Sequence, residues 1–357
     1  MSYPEPSRSP AIRIGDRVIG GGQPCFIVAE IGINHNGDVE LAKEMIDAAA
    51  EAGADSVKFQ NYRTEDFIAD SSLTYEYHSA GRRIIESQFH MFKRYELSPR
   101  ALQALKEHCD QRGVIFHSTP TNEQGVRDLV ALGCPVLKNG SDFLSHLPLI
   151  QAMGRTGLPT VLSTGMATLA DIEEAVQAFR STGNDQLLLL HCTSRYPTPP
   201  GEVHLRKIPS LASYFQIPVG FSDHSEGWEA AAGAVALGAC WIEKHFTLDK
   251  NLPGPDHRFS ADPEEFRAQV RVVRAIEHRL GSSEIGHTES EGPNRRDFRL
   301  SCVVARPIPR GKALVDGDIV FRRPGWGLPP KEAPTLLGRR AKREMQPGEV
   351  IDPRDLE

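Results

Sequence analysis

Residues 218–247 read PVGFSDHSEGWEAAAGAVALGACWIEKHFT, and the fold prediction starts from this stretch. Its apolar runs and its Ala-rich middle predict a strand, a helix and a strand, at 218–222, 226–237 and 240–246. If the two strands are parallel neighbours, about 4.8 Å apart, His224 and His245 lie at or just past their carboxyl ends. One metal ion could then bridge the two imidazoles. A single buried histidine is more often satisfied by hydrogen bonds within the protein, so the pairing is what favours a site.

The same alternation of strand and helix patterns extends over most of the chain. Eight apolar runs predict strands, at 25–31, 55–60, 114–119, 135–140, 159–164, 186–192, 218–222 and 240–246. Eight strands with intervening helices over roughly 250 residues are typical of a (β/α)8 barrel, in which the active site lies at the carboxyl ends of the strands. A doubly wound open sheet is the alternative. It favours fewer strands and a GxGxxG turn after the first strand, and the sequence has no such turn there.

Outside the barrel pattern, three segments have different compositions. The Pro- and Ser-rich start is predicted to be loose, and residues 61–94 are predicted to be an irregular functional insertion, because they are too long for an ordinary connection. Residues 282–298 are polar with Gly and Pro and predict a linker. We therefore expect a barrel domain over 1–281, a linker over 282–298 and a small β-rich domain over 299–357.

Charge, cysteine spacing and the lack of long apolar runs exclude several classes of protein. The chain has 357 residues and a formal net charge of −6, which argues against a general nucleic-acid-binding protein. Its six cysteines are scattered without CxxC pairs and are expected to be reduced. There is no secretory signal pattern and no apolar run of the roughly 20 residues that span a bilayer, so we expect no membrane association and a cytoplasmic location.

The predicted strand ends carry groups suited to binding an anion. Lys58 and Lys138 end the second and fourth strands, and hydroxyl side chains surround them at Ser118, Thr119, Ser141, Ser163, Thr164, Ser194 and Ser222. Ammonium and hydroxyl groups that converge on one mouth suit a phosphate or a carboxylate. Glu30 ends the first strand, where a carboxylate could act as a general base or orient a water molecule, provided that nothing neutralises it.

Three kinds of function fit these groups. A metal-dependent enzyme would use the histidine pair, whereas a Schiff-base aldolase or lyase would use Lys58 or Lys138 and need no metal. A third possibility is a sugar-binding scaffold without catalysis. The histidine pair therefore distinguishes the first from the other two.

A resemblance to a known family adds to these inferences. The chain contains, in order, AEIGINHNG, VKFQ, STP, LSTGM, HCTSRYPTP, GFSDHSEG, EKHFTLD and PGPDHRFS. These motifs resemble the sialic acid synthase family, and the C-terminal RPGWG and LGRRAKRE are similar to the antifreeze-like (SAF) domain that the family carries. The resemblance covers about residues 11 to 355.

The resemblance implies an activity and a set of site residues. It implies condensation of phosphoenolpyruvate with an N-acylated hexosamine and release of phosphate. It also implies a divalent metal cofactor, which is typically Mn²⁺, with Mg²⁺ and Co²⁺ as alternatives. It implies that His224 and His245 bind the metal and that Glu30 assists the attack of water. Phosphoenolpyruvate-binding positions are Lys58, Thr119, Lys138, Ser141, Ser163, Ser194 and Ser222, and sugar-facing positions are Gln60, Tyr196, Asp256 and Arg323.

The resemblance also implies a homodimer, in which Arg323 reaches the site of the other subunit.

The sequence departs from the family pattern mainly at the positions that face the sugar. Phe143 stands where the family has an acidic sugar contact, with Asp142 adjacent, and Trp326 stands in RPGWG where Asn is usual. N-acetylmannosamine, giving N-acetylneuraminate, is the first choice of acceptor. A 2,4-diacetamido-trideoxyhexose leading to legionaminic or pseudaminic acid is the close alternative. Asp223 and Glu243, beside the histidines, are expected to orient them.

Overall fold

The structure is a computed structural model that describes residues 10–79 and 81–357. The chain separates after Gly281 into two compact units, and the second runs from Ser282 to Glu357. Each unit has its own hydrophobic core. No helix in the described part of the chain is long and apolar enough to cross a bilayer.

The secondary structure alternates strands and helices through the first unit. The strands are β1 Ala11–Ile14, β2 Arg17–Gly20, β3 Phe26–Gly32, β4 Ser56–Asn61, β5 Thr74–Ser79, β6 Arg82–Ser87, β7 Ile115–Pro120, β8 Leu137–Asn139, β9 Thr160–Ser163, β10 Leu187–Cys192, β11 Val219–Asp223, β12 Trp241–His245, β13 Ser301–Val304 and β14 Ile319–Arg322. The α-helices are α1 Val39–Ala52, α2 Thr64–Phe67, α3 Gln88–Tyr95, α4 Pro99–Arg112, α5 Glu123–Ala131, α6 Leu147–Arg155, α7 Leu169–Arg180, α8 Lys207–Phe215, α9 Glu229–Ala236, α10 Pro263–Leu280 and α11 Gly292–Phe298.

Eight parallel strands close into a barrel in the order β10-β11-β12-β3-β4-β7-β8-β9. They are the eight predicted strands, so the predicted (β/α)8 fold is confirmed and the open sheet is excluded. Strands β11 and β12 are neighbours, and Asp223 is in register with Lys244. The opening stretch therefore forms the strand–helix–strand unit that its sequence pattern predicts.

Local capping fixes where the barrel helices begin and end. In α1 the Asp38 side chain accepts hydrogen bonds from the backbone N–H groups of Glu40 and Leu41, and the helix ends at Gly53 in the left-handed conformation (φ 97°). Asp262 and Glu265 form a capping box at the start of α10. Each such N-cap stabilises a helix by about 1 kcal/mol. The caps therefore set helix lengths that return the chain to the next strand.

Side-chain alternation divides the barrel into two apolar layers. Outward-facing strand residues pack under the helices, and inward-facing residues at the amino-terminal end form a second cluster around Trp241. The β1–β2 hairpin contributes Ile12, Ile14 and Ile19 to this second cluster. The prediction of a loose start is therefore wrong for residues 11–20, while residues 1–9 lie outside the described part of the chain.

Residues 61–94 are not irregular, so that part of the prediction is wrong. They contain α2, the antiparallel β5–β6 hairpin and α3. The exposed face of the hairpin is strongly polar, which hides its strand pattern from an analysis based on apolar runs. The tyrosines of the hairpin pack against a hydrophobic cluster that includes Tyr62, Met91 and Tyr95.

The second unit is small and rich in turns. Strands β13 and β14 pair antiparallel. Isolated β-bridges, such as the one between Ile308 and Met345, connect other segments within this unit. The segment predicted as a linker, 282–298, belongs to this unit, and its last seven residues form α11. The linker prediction therefore misses a helix.

Asp318 is the buried charge that holds the second unit together. Its side chain is fully buried and accepts hydrogen bonds from Arg306 Nε and Lys312 Nζ, each at 2.6 Å, and from the Val315 N–H at 3.0 Å. Burial would raise the pKa of this carboxyl group, but these donors lower it to about 2. The carboxylate therefore stabilises the folded unit wherever it is ionised.

Replacing Asp318 with Asn is expected to destabilise the second unit by about 1–3 kcal/mol, because two cationic donors lose the negative charge of their acceptor and the Val315 N–H meets an amide NH2 in place of an oxygen. A carboxyl group with a lowered pKa in the folded state stabilises above its unfolded value and loses that effect as the pH falls through its folded value. The difference from the parent should therefore be complete at pH 7 and shrink between about pH 4 and pH 2. Hydrogen exchange of peptides from 301–357 in the full-length protein measures it. Asp316→Asn, exposed in the same turn, is the control; equal exchange in the two variants would contradict the prediction.

Candidate active site

The candidate site lies at the carboxyl ends of the barrel strands, where inward-facing side chains change from apolar to polar. Because alternate residues of a strand face the same side, the residues that follow the apolar base layer by two or four positions also point inward. They include Glu30, Lys58, Thr119, Lys138, Ser163, Ser222, Glu243 and His245, all at most 9% exposed.

Two lysines and two glutamates form the centre of this site. Lys58 Nζ lies 2.7 Å from Glu30 Oε2 and 3.8 Å from Glu243 Oε1. Lys138 Nζ lies 3.1 Å from the same Glu243 oxygen, and Ser222 Oγ donates a hydrogen bond to it at 3.2 Å. Thr119 Oγ1 is 3.4 Å from Lys58 Nζ. The two ammonium groups thus share one carboxylate and hold a second one beside them.

The two carboxylates of this centre differ in acidity. Burial raises the pKa of Glu30 to about 7, although Lys58 opposes the shift. Burial also acts on Glu243, but Lys138 and Lys58 outweigh it and lower the pKa to about 2. For Lys58, burial favours the neutral amine, yet Glu243 and Glu30 raise the pKa above its ordinary value. Glu30 is therefore the group that can exchange a proton near neutral pH, while Glu243 and Lys58 stay charged.

His224 and His245 lie side by side, with ring centroids 5.5 Å apart. The Nδ1 of His224 is 2.8 Å from the Thr193 carbonyl, to which it must donate, so that in the neutral ring the lone pair is on Nε2. Within residues 10–79 and 81–357, Nδ1 of His245 has no hydrogen-bond partner. Burial, followed by the neighbouring His224, lowers the pKa of His245 well below its ordinary value, so that its ring is neutral.

These two imidazoles fit a divalent metal site with open positions. A carbonyl that fixes the tautomer of a ligating histidine is the usual arrangement in such sites. The described residues contain no group of three His, Cys, Asp or Glu side chains placed around one ion. Other positions of a bound ion would therefore be filled by water or by a substrate oxygen, as in catalytic metal sites.

The expectation that Asp223 and Glu243 orient the histidines is wrong. Asp223 faces outward and pairs with Lys244 at 2.9 Å, while also accepting hydrogen bonds from Ser225. Glu243 faces inward but contacts the lysines. The acidic group nearest to the pair is Asp256, whose Oδ2 lies 3.8 Å from His245 Nδ1; burial raises the pKa of Asp256 to about 7.

Gly165 lies close to two hydroxyl groups of the site. Ser141 Oγ accepts a hydrogen bond from the Gly165 N–H at 3.1 Å, and Ser194 Oγ has no partner in the described chain. A Cβ atom added to Gly165 would lie 2.2 Å from Ser194 Oγ and 2.7 Å from Ser141 Oγ. The absence of a side chain at Gly165 therefore lets both hydroxyl groups approach the backbone closely.

Three of the predicted sugar-facing residues border the same mouth. The Tyr196 ring lies 4.2 Å from the ring of His224 and 5.8 Å from that of His245, centroid to centroid. Asp256 adjoins His245, and Gln60 follows Lys58 by two positions on β4. Arg323 belongs to the second unit, where its guanidinium lies 4.8 Å from the Phe298 ring centroid.

Sequence reasoning grouped some strand-end residues that the fold separates, and it missed others. The Thr164 hydroxyl, which was predicted to face the site, donates a hydrogen bond to the Leu190 carbonyl at 2.9 Å. His191, next to it on β10, also faces away from the site, with its Nε2 2.7 Å from the Val203 carbonyl. Ser118 is buried on the outward side of β7, between two inward-facing residues. The missed residues are Gly165, Cys192, whose Sγ is 3.8 Å from His224 Nδ1, and His117. Counting alternate positions along each strand from Lys58 and Lys138 would have predicted which strand residues point into the barrel and which point outward.

Fold and site together define an enzyme of the (β/α)8 class, with two buried lysines beside a histidine pair. Family comparison identifies it further. The NeuB family model matches residues 45–285, and the SAF domain model matches residues 301–357. The chain belongs to the NeuB family, which confirms the resemblance found in the sequence.

Individual relatives are nonulosonic acid synthases. The chain is 38% identical to the N,N'-diacetyllegionaminic acid synthase of Legionella pneumophila, covering 93% of this chain and 94% of the relative. It is 34% identical to human N-acetylneuraminate-9-phosphate synthase, covering 94% and 93%. The crystal structure of N-acetylneuraminic acid synthetase from Leptospira borgpetersenii, in complex with citrate, matches with a TM-score of 0.73 and 35% identity, over 80% of this chain and 95% of that one.

Proposed function

We propose that this synthase condenses phosphoenolpyruvate with the aldehyde form of an N-acylated hexosamine, releasing phosphate. The observation that carries the proposal is the buried lysine pair next to Glu30 and the two histidines. Two ammonium groups surrounded by hydroxyls suit the carboxylate and phosphate of phosphoenolpyruvate. A carboxyl group with a pKa of about 7 beside them suits the handling of a proton at neutral pH.

The side chains of this site divide the reaction between them. Lys58, Lys138 and the hydroxyls of Thr119, Ser141, Ser163, Ser194 and Ser222 hold the anion and fix its orientation. The C3 atom of phosphoenolpyruvate forms the new bond to the aldehyde carbon, whose oxygen gains a proton and becomes a hydroxyl. Water adds at C2 and gives up a proton to Glu30, which balances the proton gained by the aldehyde oxygen. The tetrahedral C2 then releases phosphate as its carbon–oxygen bond breaks, and the proton of the C2 hydroxyl leaves with the phosphate, so that the 2-keto acid remains.

His224 and His245 are the residues that would hold a divalent ion, for which Mn²⁺ is the first choice. Such an ion supplies Lewis-acid polarisation of the aldehyde oxygen. Tyr196, Asp256 and Gln60, which border the same mouth, are placed to contact the sugar. In this arrangement the aldehyde of the sugar lies next to the histidines, and phosphoenolpyruvate lies next to the two lysines.

The electrostatics disfavour the Schiff-base alternative. A lysine attacks a carbonyl only as the neutral amine. Glu243 and Glu30 keep Lys58 protonated, and Lys138 also lies against Glu243. We expect borohydride to trap no pyruvyl adduct on either lysine, and a trapped adduct would favour the aldolase.

Two acceptors remain open within this proposal. N-acetylmannosamine is the acceptor expected from the resemblance, and a 2,4-diacetamido-trideoxyhexose is supported by the identity to the Legionella legionaminic acid synthase. Phosphate release from phosphoenolpyruvate, measured with each sugar in turn and with N-acetylmannosamine 6-phosphate, tests the proposal. No phosphate release with any N-acylated hexosamine, with Mn²⁺ present, would refute it. The homodimer, the role of Arg323 and the cytoplasmic location remain predictions.

Replacing Gly165 with Ala is expected to raise the KM for phosphoenolpyruvate at least about tenfold, because the added methyl would displace the hydroxyl groups of Ser141 and Ser194, which we propose bind this anion. The KM for the sugar should change less, since neither serine is proposed to contact the sugar. Gly201→Ala, where an added Cβ meets no atom within 4 Å, is the control. An unchanged KM for phosphoenolpyruvate in the Gly165 variant would show that these two hydroxyl groups do not bind this substrate.

A further inference from the structure

Near the lysine pair, three buried polar atoms on inward-facing side chains have no protein partner in the described part of the chain. They are Nε2 of His117, Nε1 of Trp241 and Oε2 of Glu243, none of which has a hydrogen bond within residues 10–79 and 81–357. His117 is in register with Lys58 on the neighbouring strand. The three side chains are at most 4% exposed. The His117 and Trp241 rings meet edge to face, with centroids 5.7 Å apart. Buried polar atoms that lack a hydrogen-bond partner destabilise a folded protein, so each of these atoms needs one.

The hydrogen-bond character of each atom is fixed. Ser56 Oγ donates its single proton to the Ile115 carbonyl at 2.7 Å, so it must accept from His117 Nδ1, also at 2.7 Å. His117 is therefore protonated on Nδ1 and presents a lone pair on Nε2. Burial, followed by the charge of Lys58, lowers its pKa to about 3 and keeps it neutral. Trp241 can only donate, and the Glu243 oxygen can only accept.

The three atoms together offer one hydrogen-bond donor, on Trp241, and two acceptors, on His117 and Glu243, which a single water molecule can satisfy. Water can donate to His117 and Glu243 and accept from Trp241, which gives it about three hydrogen bonds, as buried waters usually make. A metal cation would fit the two acceptors but would be repelled by the indole N–H. We propose that an ordered water molecule is bound between His117, Trp241 and Glu243, and that His117 and Trp241 act through it as positioning residues for the two lysines.

The water would act on the lysines through Glu243. The Oε1 atom of this carboxylate already receives Lys138 at 3.1 Å and Ser222 at 3.2 Å and lies 3.8 Å from Lys58. A hydrogen bond from water to Oε2 fixes the plane of the carboxylate. That plane in turn fixes the directions in which the ammonium groups point. Loss of the water would leave Glu243 free to rotate and would weaken binding of the anionic substrate.

The direct test is a crystal structure of the unaltered protein at a resolution that shows ordered water. We expect a water molecule within about 3.2 Å of all three atoms. Absence of that water, or a direct hydrogen bond from a lysine to His117 Nε2, would overturn the inference. This test needs no substrate, so its outcome is separate from that of the proposed function.

The kinetic test rests on the proposed function and uses a matched pair. In His117→Gln the amide can occupy the position of Nε2, whereas in His117→Asn it reaches only the position of Nδ1. We expect the Asn variant and Trp241→Phe to raise the KM for phosphoenolpyruvate about tenfold, with a smaller change in kcat, and the Gln variant to stay within about threefold of the parent. Ile115→Val, an apolar change in the same inner layer, should leave the KM unchanged. Equal KM values for the Asn and Gln variants would overturn the positioning role.

Discussion

Replacement of Glu30 by Gln is expected to lower kcat by about 10³-fold, within the range that a positioned general base contributes. The amide has nearly the shape of the carboxylate but cannot accept a proton from water. Burial places the pKa of Glu30 at about 7, whereas Glu243 in the same centre has a pKa of about 2 and is too weak a base. Initial rates of phosphate release from phosphoenolpyruvate measure the loss. Binding of phosphoenolpyruvate should persist, because both lysines remain.

Asp55→Asn is the matched control for Glu30→Gln. Asp55 precedes β4 at the opposite end of the barrel, where it accepts hydrogen bonds from the Ile27 N–H at 2.9 Å and from Arg274 at 3.1 Å. The same change from carboxylate to amide there should lower the melting temperature but leave kcat within about twofold of the parent. Equal kcat losses in the two variants would show that the Glu30 effect is structural and would exclude it as the base.

Replacement of His245 by Phe is expected to abolish Mn²⁺ binding and to lower the rate by at least about 10³-fold, since a bound Lewis acid contributes several kcal/mol. The phenyl ring preserves the packing of His245 against Phe259 and Tyr196, whose centroids lie 5.2 and 5.8 Å away, but carries no nitrogen. Electron paramagnetic resonance of free Mn²⁺ measures binding without reference to activity. Metal-stripped parent protein should show the same loss of rate and recover it when Mn²⁺ is added.

His191→Phe separates metal binding from the general effect of losing a buried histidine. His191 lies on barrel strand β10, which is separated from β12 by β11, and faces outward, where its ring stacks on Phe221 and bonds the Val203 carbonyl. This control should be less stable but should bind Mn²⁺ and retain activity. If the His245 variant bound Mn²⁺ as tightly as the parent, or if stripped protein were fully active, the histidine pair would not be a metal site.

The acceptor half of the site is where this chain differs most from the pattern it resembles. Asp142 is exposed in the turn after β8, whereas Phe143 packs against the hydrophobic core of the barrel. The acid is thus displaced by one position, to a residue that remains open to a ligand. The phosphate-release assay with each sugar therefore tests the part of the site in which Asp142 and Phe143 lie.

The sequence predicted the barrel because its signal is repeated and local. Buried parallel strands give continuous apolar runs, and the runs at 218–222 and 240–246 mark β11 and β12 to within one residue. The β5–β6 hairpin and the β1–β2 hairpin were missed for the opposite reason. The first has a polar, exposed face, and the second is short and follows a Pro- and Ser-rich start, so neither gives a long apolar run.

The sequence by itself determined which chemical groups stand at the strand ends, and from these the anion-binding lysines, Glu30 and the histidine pair could be named. Only the tertiary structure decided which groups face each other. Asp223 and Glu243 look equivalent in the opening stretch, yet Asp223 pairs with Lys244 outside the barrel while Glu243 joins Lys58 and Lys138 inside it. The physical reason is that strand alternation sends neighbouring residues to opposite faces, and barrel closure brings together strands that are far apart in sequence.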